Sequence, residues 1–237
     1  MTHSPALKLL AFDTSTDVLS IAVAHGDQRW RHTGPGGAQA SATLIPTAQT
    51  LLAQAGLTLA ELDAIVFGRG PGSFTGLRTA CAVAQGLAFG AGIPVLPVDT
   101  LLAVAEEARA RHGATRVLAL LDARMDEVYH AAYAWDGKRW QPEGELAVDK
   151  PEAVTPPPGP NWVLAGNAFA AYGERLPAGL ARVEVLPTAE ALLRLAPALL
   201  AAGEAVPAAQ AMPRYIRDKV AQTTEERAAL KAARTTP

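Results

Sequence analysis

Leu9-Leu10-Ala11-Phe12-Asp13-Thr14-Ser15-Thr16-Asp17 is echoed 109 positions later by Leu118-Ala119-Leu120-Leu121-Asp122-Ala123-Arg124-Met125-Asp126. Each stretch is an apolar run closed by Asp, with a second Asp four residues on. A short apolar run bounded by polar turn residues reads as a buried strand. Its return further along the chain reads as an internal duplication. A second echo, Asp27-Gln28-Arg29-Trp30 against Gly137-Lys138-Arg139-Trp140, stands at an offset of 110, as if one extra residue sat in a hairpin. The expectation is an α/β protein built from two related halves.

Working outward, Val18 to Val23 and Gln28 to Thr33 read as strands about the turn Gly26-Asp27, so three antiparallel strands open the chain. Leu44, Ile45, Ala48, Leu51, Leu52 and Ala55 recur at helical spacing from Ser41 to Ala55, and Gly56 stops the run. Ala64 to Phe67 is a buried strand, Ser73 caps a helix reaching Gly90, and Ile93 to Val98 is a strand again. A helix from Thr100 to Arg111 leads into the second theme, with strands at Val128 to Ala134, Trp162 to Ala165 and Val183 to Leu186. A Pro-rich loop runs from Thr155 to Pro160, one helix follows Gly166, and another spans Ala189 to Ala202. The expected division is 1–100, a less complete second half at 101–213, and a tail at 214–237. That tail holds six basic and three acidic residues, with helix-forming composition from Glu225 to Ala233. It reads either as a solvated or disordered segment or as a contact for a partner or RNA.

Of 237 residues, 49% are hydrophobic but only 5% aromatic, and 50 are Ala, so the core is expected to be closely packed Leu, Val and Ala. Lys plus Arg number 21 against 23 Asp plus Glu, which excludes a global nucleic-acid footprint. The single Cys81 excludes an internal disulfide framework and a four-Cys zinc site, and suits a reducing compartment. The apolar run Leu9 to Phe12 is too short for a signal peptide. The apolar window Ala80 to Val98 is punctuated by Gly86, Gly90, Gly92, Pro94 and Pro97, so a buried helix and strand are expected rather than a membrane span. The location expected is cytoplasmic. None of the five His residues pair at a metal-ligand spacing on one helix face, and no Gly-x-Ser-x-Gly elbow occurs.

The most distinctive segment is Gly68-Arg69-Gly70-Pro71-Gly72-Ser73-Phe74-Thr75-Gly76-Leu77-Arg78. Alternating glycines between a strand and a helix can leave backbone N–H groups converging on one place, which suits a phosphate. The same pattern also serves a tight strand-to-helix turn. Gly70, Gly72, Ser73 and Arg78 are accordingly candidates for a nucleotide or complex site. Asp13, followed by Thr14, Ser15 and Thr16, is a candidate for holding a metal-bound nucleotide phosphate. The matching Asp122-Ala123-Arg124-Met125 lacks glycines and brings Arg124 instead, so the nucleotide site looks half-built. Along the following helix, Gly76, Ala80, Ala84 and Ala88 recur every fourth residue. Phe74, Leu77, Cys81, Ala84, Ala88 and Ala91 form a seam at steps of three and four, suited to another helix or to intramolecular packing.

Asp13-Thr-Ser-Thr, the Gly68 to Arg78 segment, Gln85-Gly-Leu-Ala, Asp122-Ala-Arg-Met-Asp-Glu-Val-Tyr129 and Tyr215-Ile-Arg217 together resemble the bacterial TsaB family, formerly YeaZ, in the right order from Lys8 to Val220. The resemblance implies the actin-like ATPase superfamily fold of two ribonuclease-H-like halves. It implies a role in making N6-threonylcarbamoyladenosine beside the tRNA anticodon, as a non-catalytic, obligatory partner of the transferase TsaD, with the ATPase TsaE joining them. The chain itself then needs no cofactor and no metal, ATP or ADP belongs at the complex interface, and tRNA is the substrate of the complex. The partner face is expected on the helices Ser41 to Ala55 and Ser73 to Gly90, through Leu44, Leu51, Leu77, Ala80, Ala84 and Ala88, with a homodimer through the same face when the partner is missing. Relatives often carry His-Ser or His-Thr where this chain has Ala40-Ser41, so Ala40 is no candidate. A small-molecule kinase of the same superfamily is the alternative, disfavoured by Asp122-Ala-Arg-Met, and a protease is a third, disfavoured by the His spacing.

Overall fold

The computed structural model describes residues 6–217. The first half runs β1 (Lys8–Asp13), β2 (Val18–His25), β3 (Gln28–Pro35), α1 (Ala40–Gln54), β4 (Ala64–Gly70), α2 (Phe74–Ala91) and β5 (Val95–Asp99). Helix α3 (Thr100–His112) leads to β6 (Arg116–Asp122), β7 (Val128–Trp135), β8 (Trp140–Pro142), β9 (Ala147–Asp149) and β10 (Val163–Gly166). A one-turn helix α4 (Phe169–Tyr172), β11 (Ala181–Glu184) and α5 (Ala189–Ala201) follow.

The first sheet has the order β3-β2-β1-β4-β5, with β1 antiparallel to β2 and parallel to β4. In the second sheet β6 lies antiparallel to β7 and parallel to β10, giving β8-β7-β6-β10-β11, with β9 also paired to β7. The same strand order twice is the duplication expected from Leu9 to Asp13 and Leu118 to Asp122. The protein has the actin-like fold of two ribonuclease-H-like halves.

Strand alternation sorts the core into layers. Leu10 and Phe12 of β1 face α1 and α2, whereas Leu9 and Ala11 face the middle of the molecule. In β6, Val117, Ala119 and Leu121 face that same middle layer, and Leu118 and Leu120 face the outer side with Trp162 and Tyr172. Between the sheets lie α3 and α5. Their packing buries Glu106 and Glu107, which would be costly without partners. Arg194 of α5 answers both, at 2.9 Å to Glu106 and 2.5 Å to Glu107, and Trp140 Nε1 and Thr188 Oγ1 donate to them at 3.0 and 2.8 Å.

Three expectations need correction. The Arg29-Trp30 and Arg139-Trp140 echo is not a structural equivalence: Ala24 and Ala132 occupy matching places beside Leu9 and Leu118, yet Ala24 pairs with Arg29 while the β7–β8 hairpin continues to the pair Trp135–Trp140. Among the described residues the second half is not poorer in strands, having six, but its helix after Gly166 is a single turn. Helix α5, placed by its position in the chain with the second half, packs against β1, β2, β4 and β5 of the first. None of the described helices is long and apolar enough to cross a membrane.

Candidate functional site

The two motifs singled out in the first half form one packed unit. Ser73 N–H donates to the Ser15 carbonyl at 2.7 Å, and Thr14 Oγ1 donates to the Gly76 carbonyl at 2.7 Å. The approach is close enough that only glycine fits: a Cβ on Gly76 would lie 1.8 Å from Thr14 O, and one on Gly72 2.5 Å from Ser15 O. Gly70 has φ of +118° and its N–H meets Thr100 Oγ1 at 3.1 Å. The N–H groups of Gly70, Ser73 and Gly76 are therefore spent inside the protein, as in the tight strand-to-helix turn that is the other reading of this segment. Ser73 is the N-cap of α2 as expected, its Oγ accepting from Gly76 N–H at 3.4 Å.

Asp13 is sealed behind this contact. Its side chain is fully buried, Oδ1 accepts from Ser15 N–H at 2.8 Å and Ser15 Oγ at 2.5 Å, and Oδ2 has no hydrogen-bond partner among the described residues. A Cβ on Gly68 would lie 1.8 Å from that oxygen, so the carboxylate faces Gly68 and not the opening between the halves. Burial pushes its pKa up to about 6, against the opposing effect of the Ser15 hydrogen bonds. A sealed carboxyl group of this kind is a poor holder of a metal-bound phosphate.

Across the opening, Asp122 ends β6 as Asp13 ends β1. Its Oδ1 accepts from Arg124 N–H and Tyr172 OH, both at 2.7 Å, and Oδ2 stands 3.2 Å from the Arg124 guanidinium. Arg124, Met125 and Asp126 all have positive φ, of 59°, 54° and 64°. Each such non-glycine residue costs about 1–2 kcal/mol, so the turn must be held by its surroundings. Arg175 grips Asp126 at 2.5 and 2.9 Å, and Arg217 reaches the Ala123 carbonyl at 3.1 Å and the Glu127 carboxylate. A cavity of about 430 Å³ lies between the halves, lined by Ser15, Ser73, Asp122, Arg124, Asn167 and the segment from Arg214 to Arg217. Asp13, Gly70 and Arg78 are not on its wall. Gly72 and Ser73 are on it. With the first carboxylate sealed and side chains projecting from the second turn, these residues do not fit a metal-bound nucleotide.

Arg214 to Arg217, expected to begin a tail, are packed, as is the segment leading to them. Val206 bridges Val95, Ala208 and Ala211 are buried, and Gln85 Nε2 donates to the Ala211 carbonyl at 2.8 Å. Arg78 is exposed; its Nε donates to Tyr215 OH at 3.0 Å while its guanidinium lies 3.8 Å from the Phe74 ring centre. The helical composition at Glu225 to Ala233 lies outside the described residues.

The six residues expected at a partner interface, Leu44, Leu51, Leu77, Ala80, Ala84 and Ala88, are all buried inside this chain. The small-residue series lets α2 approach its own sheet, and Leu44, Leu51, Ala80, Ala84 and Ala88 share one core with Leu10, Phe12 and Phe67. A partner meeting α1 and α2 would instead touch Ile45, Phe74, Ala82, Gly86 and Phe89, the last 80% exposed. Their signal in the sequence is an apolar residue out of phase with the buried face, Phe89 beside buried Ala88 above all.

Comparison with known proteins fits this geometry. A family model described as TsaD, tRNA N6-adenosine threonylcarbamoyltransferase, matches residues 32–233. The tRNA threonylcarbamoyladenosine biosynthesis protein TsaB of Escherichia coli (strain K12) is 38% identical over 223 residues, covering 91% of this chain and 96% of its own length. The chain belongs to the TsaB family. The TsaB of Haemophilus influenzae is 35% identical over 224 residues, covering 90% of this chain and 95% of its own. Among solved structures, YeaZ from Pseudomonas aeruginosa superposes with a TM-score of 0.84 at 43% identity, covering 88% of this chain and 99% of that one.

Proposed function

We propose that this chain is the non-catalytic, activating subunit of the complex that forms N6-threonylcarbamoyladenosine next to the tRNA anticodon, binding the transferase TsaD and supporting recruitment of TsaE. The observation that carries the reading is the cleft of a TsaB-family chain in which Asp13 is sealed against Gly68, out of reach of anything bound between the halves. A chain so built contributes a surface rather than a reacting group. That surface is the outer side of α1 and α2, with Ile45, Phe74 and Phe89 exposed. In the absence of the transferase the same face pairs two copies of the chain. ATP or ADP belongs to the assembled complex, tRNA is the substrate of that complex, and the assembly works in the cytoplasm.

Reconstitution tests this. Threonylcarbamoyladenosine in tRNA is measured with the transferase and the ATPase, with and without this chain, alongside ATP turnover by the chain alone. Modification that depends on the chain, with no turnover by the chain in isolation, is the expected result. Robust metal-dependent turnover by the chain alone would overturn the reading. Phe89→Asp adds a charge to an exposed position, so the variant folds normally and loses co-purification with the transferase. Retained binding by that folded variant removes this face from consideration.

A further inference from the structure

The cleft poses a problem its residues also answer. Its two walls converge on a strained turn and a glycine loop, and among the described residues the segment after Ala211 hydrogen-bonds to both. We infer that residues 212–217 form a strap that bridges the cleft and holds the two halves in register.

On the first half the strap has three anchors. Arg214 N–H donates to the Arg69 carbonyl at 2.7 Å, and Arg214 Nη1 meets Asp99 Oδ2 at 2.8 Å. Asp99 also accepts from Arg69 Nε at 2.7 Å, so one carboxylate ties loop and strap together. The Tyr215 ring lies 5.5 Å from that of Phe74 and its hydroxyl accepts from Arg78. Arg217, three residues on from Arg214, belongs to the other half. Its guanidinium donates to the carbonyls of Ala123 and Arg124 at 3.1 and 3.4 Å, lies 3.2 Å from Met125 Sδ, and pairs with Glu127.

Three consecutive left-handed residues persist only where the surroundings over-determine them. A guanidinium presents five donors in a fixed fork, which suits several acceptors around one turn. The Arg217 side chain is only 16% exposed, whereas that of Arg124, within the turn, is 81% exposed. The half-buried Arg217 shapes the turn; the exposed Arg124 is displayed by it. Because Arg214 and Arg217 stand three residues apart on opposite walls, loosening either end frees the other.

Hydrogen exchange on the full chain tests this. Arg217→Ala is expected to speed exchange at residues 123–127 by about tenfold or more, with residues 80–88 in α2 unchanged, since local opening and the core exchange independently. Tyr215→Ala, whose ring and hydroxyl contacts are on Phe74 and Arg78, is expected to speed exchange in the same turn. That response across the cleft separates a strap from a local contact. Should Arg217→Ala fail to fold, Arg217→Lys keeps the charge, loses the fork, and still accelerates the turn. An unchanged turn in the folded Arg217 variant overturns the inference, and so does a turn that responds to Arg217 but not to Tyr215. Protection of residues 13–17 and 122–126 in the unaltered chain by magnesium-ATP likewise overturns it, returning the cleft to a nucleotide.

Discussion

Asp13 and Asp122 end equivalent central strands, and each accepts the N–H two residues on, at 2.8 and 2.7 Å. From that shared start the two turns diverge. In the first half small residues let α2 press against the turn until Thr14 O and Gly76 touch, and the carboxyl group disappears behind Gly68. In the second half no such helix arrives among the described residues, and Arg175 and Arg217 hold a turn that leaves Asp122 partly open to the cleft. One backbone device is stabilised by close packing in one copy and by hydrogen-bonded charge in the other. The strand and its terminal Asp recur in both halves, while the means of holding the turn differs.

The sharpest way to break the first solution is Gly76→Ala. A Cβ at 1.8 Å from a backbone oxygen forces α2 off the turn, and a loss of about 3 kcal/mol or more is expected in urea unfolding. Gly86→Ala in the same helix meets open space and should gain up to about 1 kcal/mol, which isolates the contact from helix propensity.

Asp13→Asn probes the sealed carboxyl group. With a folded pKa of about 6 against 3.8 unfolded, the native state holds the proton more tightly between those values. The stabilisation is therefore full below pH 3.8 and is lost as pH rises through about 6, a change of roughly 3 kcal/mol. Urea midpoints of the variant, followed from pH 4 to 7.5, should lack that decline. A parallel decline in both proteins would show that another group carries it.

Smaller effects distinguish the helix start from the turn opposite. Ser73→Ala removes the cap of α2 and should cost about 1 kcal/mol, read as a lowered melting temperature. Met125→Gly should act in the other direction, raising stability by up to about 1 kcal/mol by relieving one left-handed residue. A destabilised Met125→Gly would mean that the sulfur contact with Arg217 outweighs the backbone strain.

The duplicated sheet was legible because β1 and β6 are buried on both faces and each ends in Asp with a second Asp four residues on, a pattern set by neighbouring residues. Arg29-Trp30 and Arg139-Trp140 misled for the opposite reason: matching side chains do not reveal strand register, which here differs between the hairpins. The series Gly76, Ala80, Ala84 and Ala88 correctly signalled a close approach to α2, but spacing cannot say whether a sheet or a partner helix approaches. The sheet does. The strap was the least readable, since Arg214 and Arg217 act on residues 115 and 94 positions away. Its trace was present only as Tyr215-Ile-Arg217 in the resemblance to the TsaB family.

Helix α5 sets the order in which the molecule can be made. Residues 189–201 cover a face of β1, β2, β4 and β5, strands complete by residue 99. At about 5–20 residues per second, roughly 5–20 s of synthesis separate those strands from the helix that covers them. During that interval Leu9, Ala11, Ala22 and Val66 lack the part of their core that α5 supplies. The early half of the chain is thus completed only by its late end.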